Sequence, residues 1–305
     1  MNKQQPVLAM GTTKKKKFSW GQAVLHLIFI IMVLMYLVPF LLVISISFSD
    51  ESAIVREGYS LIPPEFSLEA YKLAFRNPDQ MLQSYKITIL FTLVATALSI
   101  LIMGVMAYPL SRSNYKLRKP FTFFVLFTML FSGGMVPSYI LNVQYLHLND
   151  TFWIYILPGL VSAYNLIIIR TNYKSLPDEL IEAAKVDGAK ELYICFKIVM
   201  PLCKPVLASV GFLFLVAKWN DWMTSLLYIH DAKLYSLQYL LQKILKESEY
   251  LKQLADTGQL MGGEVFPSES YRYAMALIAA GPVLVIFPFF QKYFSKGMTL
   301  GGVKG

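Results

Sequence analysis

From Gln22 to Ser47 the sequence runs for 26 residues without an aspartate, glutamate, lysine or arginine. A helix of that length extends about 39 Å, enough to cross the hydrocarbon layer of a bilayer, where only helices and closed barrels satisfy their own backbones. Comparable apolar runs follow at 81–110, 120–142, 151–169, 205–228 and 272–290. With 56% hydrophobic and only 15% charged residues, the chain lies outside the soluble range. It reads as an all-α integral membrane protein with six transmembrane helices. No small-residue cleavage site follows the first run, which therefore reads as a retained helix and not a signal peptide.

Charge sets the orientation. Eighteen of the 28 basic residues, among them Lys14 to Lys17, Arg112, Arg118, Arg170, Lys185, Lys190 and Lys204, fall on the side that holds both termini, while the opposite segments pair eight bases with thirteen acids. The positive-inside rule makes the first side cytoplasmic. The +9 net charge is thus topological, and no nucleic-acid partner is expected. The resulting organisation is a cytoplasmic tail at 1–19, a six-helix membrane domain at 20–295 with outer segments at 48–80 and 229–271, and a cytoplasmic tail at 296–305.

Several features inside this frame carry expectations. A short helix fits Leu68 to Phe75. In the second outer segment Leu234, Leu237, Leu241, Ile244 and Leu245 repeat at helical spacing, for a helix lying on the membrane or meeting an external partner. Thr88, Thr92, Thr96 and Ser99 form a stripe that suits helix packing. Phe131 to Pro137, with Gly133 and Gly134, should kink or unwind the third crossing. Pro158 and Gly159 interrupt the apolar character of the fourth.

The segment from Ser175 to Pro201 stands apart because it is charged yet helical in spacing. Ser175 to Asp178 fits a capping box, with Pro177 in the first turn and Asp178, Glu179 and Glu182 near the positive end of the helix dipole. Ala184 and Gly188, four residues apart, would offer a partner a close approach. Alternatively Gly188 is a C-cap leading to a second helix over Lys190 to Phe196. Either arrangement makes 175–201 an exposed docking loop.

In the fifth crossing Ala217, Asn220, Asp221 and Thr224 would share one helical face, flanked by Trp219 and Trp222. Ionisable residues in a span generally face a water-filled path or a partner, and flat rings beside amide and carboxylate groups suit sugars. The structural alternative pairs Asp221 with Lys218 and places both tryptophans in the interfacial belt. Tyr139 and Asn165 are weaker path candidates. His26, His147 and His230 have no metal-ligand spacing, and Cys195 and Cys203, about 12 Å apart on a helix, are beyond disulfide reach. No phosphate-binding loop and no catalytic constellation occurs, so the chain is not read as an enzyme and has no cofactor of its own.

Glu182-Ala183-Ala184, Gly188, Ile198 and Pro201, together with Phe131 to Pro137, Trp219-Asn220-Asp221 and the ending Gln291 to Gly305, resemble the carbohydrate-uptake branch of type I ABC importer permeases, closest to members associated with complex oligosaccharides. The resemblance implies a multi-pass subunit of the bacterial cytoplasmic membrane, paired with a second homologous permease, two copies of an ATPase that carries ATP and magnesium, and an extracytoplasmic sugar-binding protein. It places Glu182, Ala183, Ala184, Asp187 and Gly188 at the ATPase, and makes Trp219, Asn220, Asp221, Thr224, Asn165 and Tyr139 the candidates for lining an oligosaccharide path. An ion- or proton-coupled secondary transporter, with Asp221 and Lys218 as coupling groups, is the alternative.

Overall fold

The computed structural model describes residues 20–257 and 268–297. The Lys14 to Lys17 run, residues 258–267 of the second outer segment and the ending from Met298 lie outside the described residues. Among those described, the regular structure is helical, with one isolated antiparallel bridge between Ser49 and Phe66.

Helix α1 (Trp20–Ser47) runs unbroken through Pro39. It lies against the last helix and leaves residues such as Leu27, Phe29 and Val33 exposed, a surface suited to lipid. Helices α2 (Glu51–Glu57) and α3 (Glu69–Ala74) form the first outer segment. The latter is the short helix expected there. The former begins where the Asp50 carboxylate accepts a hydrogen bond from Ser52 N at 2.9 Å, a short-range N-cap.

Helix α4 (Pro78–Ser111) is the element the others surround. It starts with Asn77 accepting from Gln80 N at 3.2 Å and with Pro78 in the first turn. Its polar stripe is a packing seam: Thr88, Thr92 and Ser99 are buried, Thr88 Oγ1 accepts from Leu237 N at 2.8 Å, and Ser99 Oγ donates to Leu160 O at 2.6 Å.

The third apolar run is broken outright. Helices α5 (Arg118–Leu130) and α6 (Met135–Ile140), the latter continued by a π turn at Leu141–Tyr145, meet at 111°. Gly134 sits at φ +87° at the break, a conformation available to glycine at little cost. The fourth run corrects the expectation of one helix over 151–169. Phe152–Tyr155 forms a single 3-10 turn, and after Pro158 and Gly159 a new helix, α7 (Ala163–Lys174), starts where Ser162 Oγ accepts from Asn165 N. Proline lacks the amide donor and Gly159 takes φ +78°, so no continuous ladder passes this point.

Next come α8 (Asp178–Val186), α9 (Glu191–Ile194), a π turn at Cys195–Val199, and α10 (Met200–Leu202). The segment 191–202 meets α11 (Lys204–Trp219) at 80°. The chain then forms α12 (Met223–Tyr228), α13 (Leu237–Asp256) and α14 (Glu269–Gly297). Among the described residues three helices, α1, α4 and α14, are long and apolar enough to cross a membrane singly, and up to five crossings result if each bent pair is one span.

Helix α13 corrects a second expectation. Its apolar face neither lies free on the membrane nor waits for an external partner. Leu237, Leu240, Leu241 and Leu245 are buried with Ala70, Ala74, Met81, Tyr271 and Ala274, so α13 packs onto α3, α4 and α14 of its own chain.

Candidate coupling segment and translocation path

The capping box expected at Ser175 is absent. Ser175 ends α7, its hydroxyl donating to Asn172 O at 2.7 Å, and α8 starts after Pro177 without a side-chain cap. Asp178 and Glu179 in the first turn oppose the positive pole of the helix. At the other end Gly188, at φ +81°, donates to Lys185 O at 3.0 Å and Ala189 donates to Ala184 O at 2.9 Å. That pair of bonds is a Schellman motif. Gly188 therefore lies beyond the helix as its C-terminal stop, and it does not share a helical face with Ala184. The second short helix follows at Glu191.

Only one side of α8 is seated. Ile181 is buried among Tyr108, Leu110, Tyr173, Ile194 and Cys195, and Ala184 is half-buried. Glu182, Ala183, Asp187 and Gly188 are exposed, and Val186 is 88% exposed. A cavity of about 530 Å³ opens beside Ala184, Asp187, Gly188, Tyr193 and Ile198. Glu182, Ala183, Asp187 and Gly188 are thus open to solvent, with Ala184 half-buried beside them.

Both ends of α8 are tied to the C-terminal end of α4, a feature that sequence reasoning missed. Arg112 is 6% exposed. Its Nη2 donates to Tyr173 O at 2.5 Å, its Nη1 reaches Asp178 Oδ1 at 3.3 Å, and its Nε donates to Ser111 Oγ at 3.0 Å. One turn earlier, Tyr108 OH donates to Glu191 Oε2 at 2.6 Å, while Lys185 Nζ lies 2.6 Å from Glu191 Oε1. Lys185 and then Tyr108 hold the Glu191 carboxyl below its ordinary pKa, against the opposing effect of burial. The signal for this cluster is long-range, because Tyr108 and Glu191 are 83 residues apart.

The fifth crossing corrects the picture of one polar face. Helix α11 ends at Trp219, Asn220 is its C-cap, and α12 begins at Met223. Asp221 turns to cap the new helix, accepting from Thr224 N at 3.0 Å and from Thr224 Oγ1 at 2.7 Å. A residue that bonds the backbone three positions on competes with helix continuation. Lys218 is not paired with Asp221, since its Nζ donates to Tyr155 O at 2.7 Å. Trp219 is 3% exposed and donates from Nε1 to Ala279 O at 2.8 Å, so it is packed against α14. Asn220 is exposed, its Nδ2 donating to Val216 O at 2.9 Å. Asn165 is buried in α7, and the Tyr139 ring stacks on Tyr228 at 5.5 Å. The structure therefore bonds Thr224 to Asp221 at a helix break that Asn220 borders, while Trp219 packs on α14, Asn165 is buried in α7 and Tyr139 stacks on Tyr228.

The family described as binding-protein-dependent transport system inner membrane component matches residues 100–300. The chain is 39% identical over 272 residues to the polygalacturonan/rhamnogalacturonan transport system permease protein YtcP of Bacillus subtilis (strain 168), covering 89% of this chain and 94% of that protein. It is 30% identical over 293 residues to the arabinooligosaccharides transport system permease protein AraQ of the same organism, covering 95% and 98%. A chain in the solved structure of a bacterial ABC transporter involved in the import of the acidic polysaccharide alginate superposes with a TM-score of 0.75 at 26% identity, covering 92% of this chain and 100% of that one. These relatives are permeases and not enzymes, and the chain belongs to their family, the binding-protein-dependent transport system inner membrane components, as an ABC transporter permease of the bacterial cytoplasmic membrane.

Proposed function

We propose that this chain is one of two permease subunits of an ATP-driven oligosaccharide importer served by an extracytoplasmic sugar-binding protein. The observation that carries the proposal is α8: a short charged helix, stopped by Gly188, with one side seated on α4 and Glu182, Ala183, Asp187 and Gly188 left open. A helix presented in this way suits insertion into a groove on a partner, here a cytoplasmic ATPase that binds ATP and magnesium. Closure of two ATPase copies would move α8, and α8 would carry the inner end of α4 with it through Ile181, Arg112 and Glu191. Asn220, Asp221 and Thr224, at the break between α11 and α12, line the sugar path in this reading, with Trp219, Asn165 and Tyr139 fixing its walls. The oligosaccharide class is supported by the carbohydrates named for the relatives.

Alternating access requires that nucleotide and sugar-loaded binding protein favour the same conformation by differential contacts. The test is gentle-detergent purification of the tagged chain from its own host, with mass identification of what remains bound. Recovery of a homologous permease and a Walker-motif ATPase is expected. Recovery of the chain alone, after crosslinking as well, would overturn the proposal.

A further inference from the structure

We infer that the outward face of α13, together with Trp222, is a binding strip for an acidic oligosaccharide, an inference that rests on the importer reading above. Tyr239, Lys243, Lys246 and Tyr250 follow one another at i, i+4, i+7 and i+11, so they share a single helical face. That face is separate from the leucine face already buried against α3, α4 and α14. Trp222, from the start of α12, joins these four residues around one cavity of about 300 Å³.

The strip alternates ring and cation. Lys243 Nζ stands 5.4 Å from the centroid of the Tyr235 ring, and Tyr235 meets Tyr239 edge to face at 4.8 Å. Rings present flat apolar surfaces on which the C–H faces of a sugar can stack, and their neighbouring ammonium groups supply charge. Neither Lys243 nor Lys246 forms an ion pair among the described residues. Glu247 also borders the cavity, so the two lysines leave it with a surplus of one positive charge. A neutral sugar would use the rings and leave that surplus unpaired. Sugar carboxylates would use both, with charge-assisted hydrogen bonds to the ammonium groups. From Tyr239 to Tyr250 the helix rises about 16 Å, longer than one sugar ring, so the geometry favours an oligomer over a monosaccharide.

The experiment measures binding of trigalacturonate and of its carboxyl-reduced neutral counterpart to the purified complex in nanodiscs without nucleotide. The parent is compared with Lys243→Gln/Lys246→Gln and with Trp222→Phe. Because Lys243 and Lys246 are exposed, and Trp222→Phe keeps an aromatic ring at a half-buried position, equal thermal midpoints should accompany all three. Trigalacturonate should bind the double variant roughly tenfold more weakly than the parent, the size expected for two partly exposed ion pairs, and high salt should reduce the difference. The neutral trisaccharide should bind parent and double variant alike. Absence of trigalacturonate binding to the parent, or equal binding to parent and double variant, would overturn the inference. So would loss of sugar-binding-protein capture in the double variant with trigalacturonate binding unchanged, because the strip would then be a protein-docking surface. A chain that recovers no ATPase fails the importer reading instead, and the same comparison on that chain alone still decides the strip.

Discussion

Tyr108 donates a 2.6 Å hydrogen bond to Glu191 and thereby joins the C-terminal end of α4 to the first residue of α9, just beyond the Gly188 turn. The phenol belongs to the membrane-crossing helix and the carboxylate to the charged loop. With Arg112 bonded to Asp178 and Tyr173 at the opposite end of α8, α8 is held to α4 at both ends.

Tyr108→Phe keeps the ring in its packed site and deletes only the hydroxyl. A hydrogen bond to a charged group contributes about 1.5–3 kcal/mol, so the variant should assemble but transmit poorly. In reconstituted complexes, ATPase capture should persist while binding-protein-stimulated uptake falls severalfold. Unchanged uptake would show that Ile181 packing and the Arg112 contacts to Asp178 and Tyr173 suffice to couple α8 to α4.

Gly188 separates charge from bulk in the docking surface. Nothing lies within 4 Å of a Cβ built there, so substitution meets backbone strain and not collision. Asparagine and aspartate both tolerate the left-handed region comparatively well. Gly188→Asn and Gly188→Asp should therefore insert to equal levels, with the aspartate variant losing far more ATPase in affinity capture. Full retention of ATPase by Gly188→Asp would count against the coupling role of this edge.

The outer segments are clasped by a buried carboxylate. Glu51, 4% exposed, accepts from Glu269 N at 3.0 Å and from Ser270 N at 2.9 Å, and meets Lys252 Nζ at 3.4 Å. Burial pushes its pKa up, but the donors from α14, and then Lys252, outweigh it and leave the group below 4.5. Its folded pKa is thus depressed, so its stabilisation is present above the ordinary carboxylate value and is lost as pH falls through the folded one. The thermal midpoint of the parent should fall on acidification below 4.5, and Glu51→Gln should start less stable at neutral pH and flatten that part of the profile.

Two tryptophans three residues apart should behave differently. Trp219→Ala removes a buried ring and its bond to Ala279 O, and core truncations of this size cost about 3–5 kcal/mol. Its membrane abundance and thermal midpoint should drop. Trp222→Ala should keep both and lower uptake, measured with labelled oligosaccharide in cells. Equal loss of abundance in the two variants would place Trp222 in the core as well.

The all-α membrane class, the long apolar first helix, the break at Gly133 and Gly134 and the exposure of Glu182, Ala183, Asp187 and Gly188 were determined by the sequence itself, because their causes are local. Apolar length obliges a helix in lipid, and glycine followed by proline weakens a helical ladder wherever it occurs. Tertiary structure decided what periodicity could not. The leucines of α13 were legible as an apolar face, but only packing showed that α3, α4 and α14 cover it. The even spacing of Ala217, Asn220, Asp221 and Thr224 implied one face until Asp221 turned to cap α12 and ended the helix. Arg112 looked like one more topological cation, and its role as a clamp emerged only when the fold brought Tyr173 and Asp178 to it. Helical spacing reports which residues share a face, whereas the partner of that face depends on contacts tens to hundreds of residues away, which the local pattern does not encode.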